Sequence, residues 1–382
     1  MCRTLVAAAS VMVFTACGIT EREHRDESAA AQAAVPAPAA APGSTPVATP
    51  SDSVSTAGGV RSPAQDVMPV GREPGGATSA APRPGSAERQ PNELGRIPIL
   101  EYHLIGEKDA RWERSVESFR RDLEILYERG FQPITVAELI SGDIDLPAGL
   151  SPVVFTFDDA SPGQFRYIER GGELVVDPTS AVGIWLDFKK DHPDWANKAT
   201  FCLLSGAEAG RSFFGDKGIE GQRTEWRHEK VRFLAEQGFE LCNHTLWHAN
   251  LAKYEDATVQ EQIARGVLAI DSAVTGYVVR TFALPLGEWP RNRELARAGQ
   301  WTDPKTGRIV RYSNEAILMV AGGPARSPHD PEFDPLRLPR VQVHGGELEK
   351  TLDQLDRGQR YVSDGNRETV ARLASQAKQG ND

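Results

Sequence analysis

The sequence predicts an α/β fold built on a parallel sheet. Short apolar runs rich in β-branched and aromatic residues recur from residue 97 onward, at 97–102, 153–157, 198–204, 239–243 and 278–284. Continuous apolar runs of this length are expected of strands covered on both faces. Between them lie stretches of helical period, as where Phe119, Leu123, Leu126 and Tyr127 share one face. No internal repeat of fixed period is present, so strand–helix alternation in one sheet, open or closed, is the architecture that remains.

Taken in order, residues 97–103 read as a strand ending in Tyr102 and His103. The helix that follows has Ser115 as its N-cap and stops at Gly130. A short strand at 131–134 precedes a second helix capped by Thr135. Residues 153–157 form a strand that runs into two adjacent carboxylates, Asp158 and Asp159. Residues 160–197 show no clear period, which is long for a plain connection and points to function or to local structure without a pattern. Strands at 198–204 and 239–243 flank a helix bearing Val231, Leu234 and Ala235, with Thr224 as its cap. The helix at 256–275 carries Val259, Ile263, Val267, Ile270 and Val274 on one face. A strand at 278–284, a short helix near Leu295, strands at 308–312, 316–320 and 338–343, and a helix with Leu348, Leu352 and Leu355 complete the chain.

Composition narrows the function classes. The 382 residues are 25% charged and 40% hydrophobic, with a formal net charge of −10. That balance argues against nucleic acid as a partner, because phosphate neutralisation needs clustered Lys and Arg. The one membrane signal lies at the start: Arg3, an apolar stretch at 5–14, then Thr15 and Ala16 before Cys17, the layout of a signal peptide over 1–17. The ending resembles a bacterial lipobox, with Cys17 as the lipidated residue and ordinary cleavage as the alternative. These features predict an exported protein in the cell envelope, attached to a bacterial membrane only through the lipid. Residues 18–95, rich in Ala, Pro and Ser, read as a disordered linker; the folded domain is expected over 96–360, with 361–382 as a tail or helix. Cys202 and Cys242 read as core residues, with a disulfide as the alternative.

Three strand ends carry the chemistry: Asp158-Asp159, His244 with His248, and Pro285-Leu286-Gly287. Two histidines four apart suit joint ligation of one metal ion if they share a side of a helical turn. Two imidazoles and one carboxylate leave an open site suited to hydrolysis.

Thr156-Phe157-Asp158-Asp159 followed by Asn243-His244-Thr245-Leu246-Trp247-His248 resembles the first two motifs of the polysaccharide deacetylases, carbohydrate esterase family 4, also called the NodB homology domain. The likeness covers roughly 97–355. It implies a distorted (β/α) barrel and a metal-dependent hydrolase that deacetylates a cell-surface or cell-wall polysaccharide. Matched position by position, Asp159, His244 and His248 would hold one divalent ion, zinc first and cobalt or nickel as alternatives, and Asp158 would be the catalytic base. The third motif departs from the family: Ala283 stands where an arginine orients the base, and Leu286 replaces a tyrosine, although its backbone N–H can still serve the oxyanion. Arg340 is a candidate to orient Asp158, with a surface ion pair as the alternative.

The general acid has two candidates, His103 and His344. The strand 98–103 and the third motif are similar to the circularly permuted subgroup that includes poly-N-acetylglucosamine deacetylases, and there the acid sits on the N-terminal strand, which favours His103. Two other functions use the same scaffold: non-catalytic carbohydrate binding and O-acetyl ester hydrolysis of the acetylxylan type. Trp185, Trp195, Trp226 and Trp247 are either sugar-stacking or core residues. Oligomeric state is not legible.

Overall fold

The computed structural model describes residues 89–206 and 212–373. The signal segment 1–17 with Cys17, most of the linker and the end of the tail lie outside the described residues. The chain enters through β1 (Ile99–Tyr102) and a small parallel pair, β2 (Leu104–Gly106) and β3 (Glu113–Ser115). Helix α1 (Val116–Glu128) leads to β4 (Phe131–Ile134), and α2 (Val136–Ser141) to β5 (Ser151–Phe157). The hairpin β6 (Tyr167–Arg170) and β7 (Glu173–Val176) precedes α3 (Ala181–Asp191). Next come β8 (Thr200–Leu203), α4 (Arg227–Glu236), β9 (Glu240–Asn243), α5 (Asp256–Ala273) and β10 (Thr281–Ala283). After α6 (Glu294–Arg297) and a second hairpin, β11 (Ala298–Thr302) with β12 (Ile309–Ser313), the chain ends in β13 (Ala316–Leu318), β14 (Val341–Gln342) and α7 (Glu347–Gln354).

Among the described residues eight strands form one sheet, in the order β13-β10-β9-β8-β5-β1-β14, with β4 beside the first half of β5. Every pairing in it is parallel. Its two edges meet through one segment. Leu338 bridges Leu318 of β13, and three residues later Val341 pairs with Leu100 of β1. The expected distorted (β/α) barrel is therefore the observed fold.

Side chains alternate between the two faces of each strand. Ile99, Val154, Cys202, Cys242, Ala283 and Leu318 fill the barrel interior. Leu100, Tyr102, Phe155, Phe157 and Phe201 face outward and pack beneath Phe119 and Leu123 of α1, Trp185 of α3 and Leu348 of α7. Each fully buried phenylalanine contributes about 1.5–3 kcal/mol from removal of apolar surface, and the Phe157 and Phe201 rings stack 4.8 Å apart. On β1 and β5 the interior positions turn polar towards the C-terminal end, at Glu101, Thr156 and Asp158.

The caps on α1 and α2 fall where the sequence put them: Ser115 accepts from Ser118 N, and Thr135 with Glu138 forms a capping box. Thr224 is different, since it opens a 3-10 turn and α4 starts only at Arg227. The stretch without a period contains a hairpin and α3. That helix gives no amphipathic stripe because Ala181, Val182, Gly183, Ile184, Trp185 and Phe188 are all buried. The folded body is also wider than 96–360: Asn92 pairs with Val362, and Asn92, Glu93, Tyr361 and Ser363 are buried. No described helix is long and apolar enough to cross a membrane.

Cys202 and Cys242 are fully buried, as expected, and sit opposite each other on β8 and β9, where they form a disulfide. Strand register, invisible in the spacing, brings them together. Closing a loop across 40 residues is worth roughly 4 kcal/mol in the chain-entropy account. Urea unfolding with and without reductant should therefore show a loss of about 2–4 kcal/mol on reduction. Identical curves, with both cysteines reactive to a thiol probe in the unfolded chain, would show that the bond does not form.

Candidate active site

The site is assembled at the C-terminal ends of β1, β5, β9 and β10, where a parallel barrel opens its strand ends to loops. Asp158 follows β5 and keeps the strand's alternation, so its carboxylate points inward and is 1% exposed. The next residue does not continue the strand. Asp159 has φ 76° and Ala160 has φ 48°, a left-handed turn that brings a second carboxylate towards the same opening instead of the opposite face. The turn is held from both sides: Asp158 N donates to Tyr102 O (2.9 Å), and Gln164 Nε2 donates to the carbonyls of His103 (2.6 Å) and Asp158. Gly163 packs directly on the backbone of β2, where an added Cβ would lie 1.9 Å from Ile105 O.

Arg340 holds Asp158. It comes from the segment that closes the barrel and is 1% exposed, so a surface ion pair is ruled out. Nη1 and Nη2 donate to Oδ1 and Oδ2 of Asp158, each at 2.8 Å. Nη1 also donates to Thr156 Oγ1 (3.1 Å), and Nε donates to Met319 O (2.6 Å). Nη2 lies 2.6 Å from Glu101 Oε1. Burial pushes the Asp158 pKa up, but Arg340 and then His244 pull harder, and it settles at about 2. Glu101 is raised, because its burial outweighs its share of Arg340.

Asp159, His244 and His248 present ligand atoms within 4.8 Å of one another. The two histidines are not on a helix, contrary to the spacing argument. They flank a turn in which Thr245 (φ 71°) and His248 (φ 63°) are left-handed. Asn243 builds that turn: its Oδ1 accepts from Thr245 N (3.0 Å), and Thr245 Oγ1 accepts from His248 N (3.0 Å). Gly266 on α5 makes room for it, since a Cβ there would lie 2.1 Å from Asn243 Oδ1.

The donor set fits a metal ion. His244 Nδ1 lies 2.9 Å from the carbonyl of Ala283; a carbonyl can only accept, so Nδ1 carries the hydrogen and Nε2 keeps its lone pair. That Nε2 is buried without a hydrogen-bond partner and stands 3.6 Å from Asp159 Oδ1. His248 Nε2 is also 3.6 Å from the same oxygen. Ligands of a tetrahedral zinc at about 2.1 Å stand roughly 3.4 Å apart. Burial and the neighbouring His244 bring His248 down to about 4, so it is neutral as a ligand must be. His244 is raised: burial opposes its charge, but Asp158 and Asp159 prevail, so a positive charge is favoured at this spot.

His103 also belongs to the site, grouped with Glu101 and Asp158 within 4.8 Å. His344 is half-buried at the start of the loop into α7, and its side chain makes no hydrogen bond among the described residues. The Pro285–Gly287 turn leaves β10 two residues after Ala283, with Leu286 at φ 59° and its side chain exposed. Among the tryptophans, Trp185 and Trp195 are core, Trp226 is partly buried and packed on it, and Trp247 is exposed. Glu101 was missed by sequence reasoning. Its signal is an acidic residue at an interior position of an otherwise apolar strand.

Two tests follow from this geometry. Calorimetric titration of the metal-free protein with zinc should give one site, lost in Asp159→Ala and in His244→Ala; undiminished binding in either variant removes that residue from the ligand set. Asp158 is a depressed carboxylate. It contributes stability in full above its ordinary pKa, near pH 4, and that contribution is lost as pH falls towards about 2. The stability gap between the parent and Asp158→Asn should close across that window. A gap independent of pH would contradict the ion pair.

The model of the polysaccharide deacetylase family matches residues 194–300. A chitooligosaccharide deacetylase of Bradyrhizobium sp. (strain ANU 289) is 29% identical over 102 residues, which is 23% of this chain and 47% of that protein, so the match spans about half its length. Two solved structures are similar. The deacetylase PplD of Streptococcus pyogenes, in complex with acetate, has 17% identity, coverage of 70% of this chain and 99% of that one, and a TM-score of 0.48. A polysaccharide deacetylase from Bacillus cereus has 18% identity, coverage of 68% and 69%, and a TM-score of 0.47. The matched segment contains both histidines of the triad, His244 and His248, and over residues 194–300 the chain is similar to the polysaccharide deacetylase family.

Proposed function

We propose that this protein is a metal-dependent hydrolase that removes acetyl groups from an N-acetylated polysaccharide of the cell surface or wall. The observation that carries the reading is a base held by a buried arginine, Asp158 with Arg340, beside the Asp159, His244 and His248 donor set. A divalent ion bound there, zinc first and cobalt or nickel as alternatives, supplies Lewis acidity that makes a water more acidic and an acetyl carbonyl more electrophilic. Asp158 Oδ2 faces the donor set, 3.9 Å from His244 Nε2, and takes the proton of the attacking water. As the C–N bond breaks, His103 gives a proton to the leaving nitrogen. Its place beside Asp158 favours it over His344 and supports the permuted arrangement of motifs. The backbone N–H of Leu286 is assigned to the oxyanion.

The altered third motif is the argument for a non-catalytic carbohydrate binder, and it loses force because Arg340 fills the orienting role left by Ala283. O-acetyl ester hydrolysis needs the same site, and no feature favours it. Export to an oxidising compartment is supported by the buried disulfide, and attachment through Cys17 by the lipobox-like sequence alone.

Acetate release from N-acetylglucosamine oligomers, peptidoglycan and acetylxylan with defined zinc tests the reading. N-acetylated oligomers should be turned over and the activity lost with a chelator. Asp158→Asn and His103→Ala should each lower kcat by about 10²–10⁴-fold, and His344→Ala by less than tenfold. Activity that survives complete metal removal would overturn the mechanism, and loss in His344→Ala alone would reverse the choice of acid.

A further inference from the structure

We propose that Trp112 forms the floor of a sugar subsite beside the reaction centre, taking the pyranose ring next to the one deacetylated. The inference rests on the deacetylase reading and names a binding residue for it. Trp112 is 40% exposed, which leaves one of the largest apolar surfaces of the chain in water. Its ring meets His103 edge-on, with centroids 4.7 Å apart and planes at 63°. His103 is grouped within 4.8 Å of the Asp158 carboxylate. The indole is thus one side chain away from the group that protonates the leaving nitrogen.

The loop that presents Trp112 is tied at several points. Leu104 N donates to Trp112 O (3.0 Å), and Ala110 and Glu113 exchange backbone bonds of 2.8 and 3.3 Å. Asp109 accepts from Ser115 N (3.0 Å) and Ser118 Oγ (2.7 Å), which fastens the loop to the first turn of α1. Glu113 Oε1 accepts from Glu107 N (3.2 Å). An aromatic side chain held in place before binding loses little entropy on contact. The ligand chemistry follows from the surroundings. A pyranose offers an apolar C–H face to the indole and a rim of hydroxyls to polar groups. Arg111 lies over the indole, its guanidinium 4.9 Å from the ring centroid; a pyranose displaces it from that face or takes the other one, with the guanidinium then free to donate to the rim. A free monosaccharide needs no second platform beyond the acetyl-bearing ring, so the subsite selects for a polymer.

The test uses the full zinc-loaded chain and the N-acetylglucosamine pentamer. Trp112→Ala should raise KM about tenfold, equivalent to about 1.4 kcal/mol, with kcat changed much less, and Trp112→Phe should restore most of the affinity. Calorimetric binding of the pentamer in the Asp158→Asn background, with and without Trp112→Ala, should show the same tenfold difference without turnover. Equal affinity in the two proteins overturns the subsite, as does an unchanged KM with a fallen kcat, which would make Trp112 only a prop for His103. A parent protein that binds the pentamer through Trp112 but releases no acetate would sink the deacetylase reading and leave the subsite standing. A parent that binds no pentamer overturns the subsite.

Discussion

The guanidinium of Arg340 is the interaction on which the site depends. Two carboxylates, Asp158 and Glu101, lie at the C-terminal end of a barrel interior lined largely by apolar side chains and a disulfide. Taking each charge out of water costs several kcal/mol, and only a partner with many donors in a fixed fork can offset that for both. Arg340 donates to Met319 O, to Thr156 Oγ1 and to both oxygens of Asp158, and makes an ion contact with Glu101. The same residue belongs to the segment 338–342 that joins the edges of the sheet. The segment that closes the barrel therefore also carries the residue that orients Asp158, the proposed base.

Sharing Arg340 between two carboxylates has a chemical consequence. A base fixed in a bidentate pair is well oriented but weak, and Asp158 is held at about 2. Glu101 competes for the guanidinium and adds negative charge beside Asp158 and His103. It thereby moderates the loss of basicity at Asp158. Three carboxylates, Asp158, Asp159 and Glu101, face one guanidinium at the barrel mouth, which is an environment that a divalent cation completes. Backbone strain serves the same end. Asp159, Ala160, Thr245, His248 and Leu286 are all left-handed without being glycine, at a cost of about 1–3 kcal/mol each for the less tolerant residue types. Their effect is to turn neighbouring side chains out of strand alternation and into one cluster.

What the sequence revealed and what it hid divide along sequence separation. The strands were legible because parallel strands buried on both faces read as apolar runs, and α1 and α2 because their caps are local chemistry. Asp158 with Asp159 and His244 with His248 stood out as local pairs, and the resemblance to the deacetylase motifs joined the two pairs into one candidate site. Arg340 is 182 residues from Asp158, and no spacing rule spans that distance; only its charge on a late strand marked it. The disulfide was hidden for the same reason, since register and not spacing sets Cys202 against Cys242. Helix α3 was missed because its first five residues, 181–185, are all buried, which erases the period over that half of the helix. His244 and His248 share a site through a turn stitched by Asn243, so the spacing suggested the right pair on the wrong backbone.

The coupling between Arg340 and Asp158 is what holds that carboxylate in place. A double-mutant cycle of Arg340→Met and Asp158→Asn, read as urea unfolding free energies at neutral pH, measures it directly. Residues in one buried network show interaction energies of about 0.5–3 kcal/mol, and a bidentate, fully buried pair should fall in the upper half of that range. Each single change strands a buried partner, so the double variant should lose clearly less than the two losses combined. Losses that add to within about 0.5 kcal/mol would contradict the claim that Arg340 holds the base.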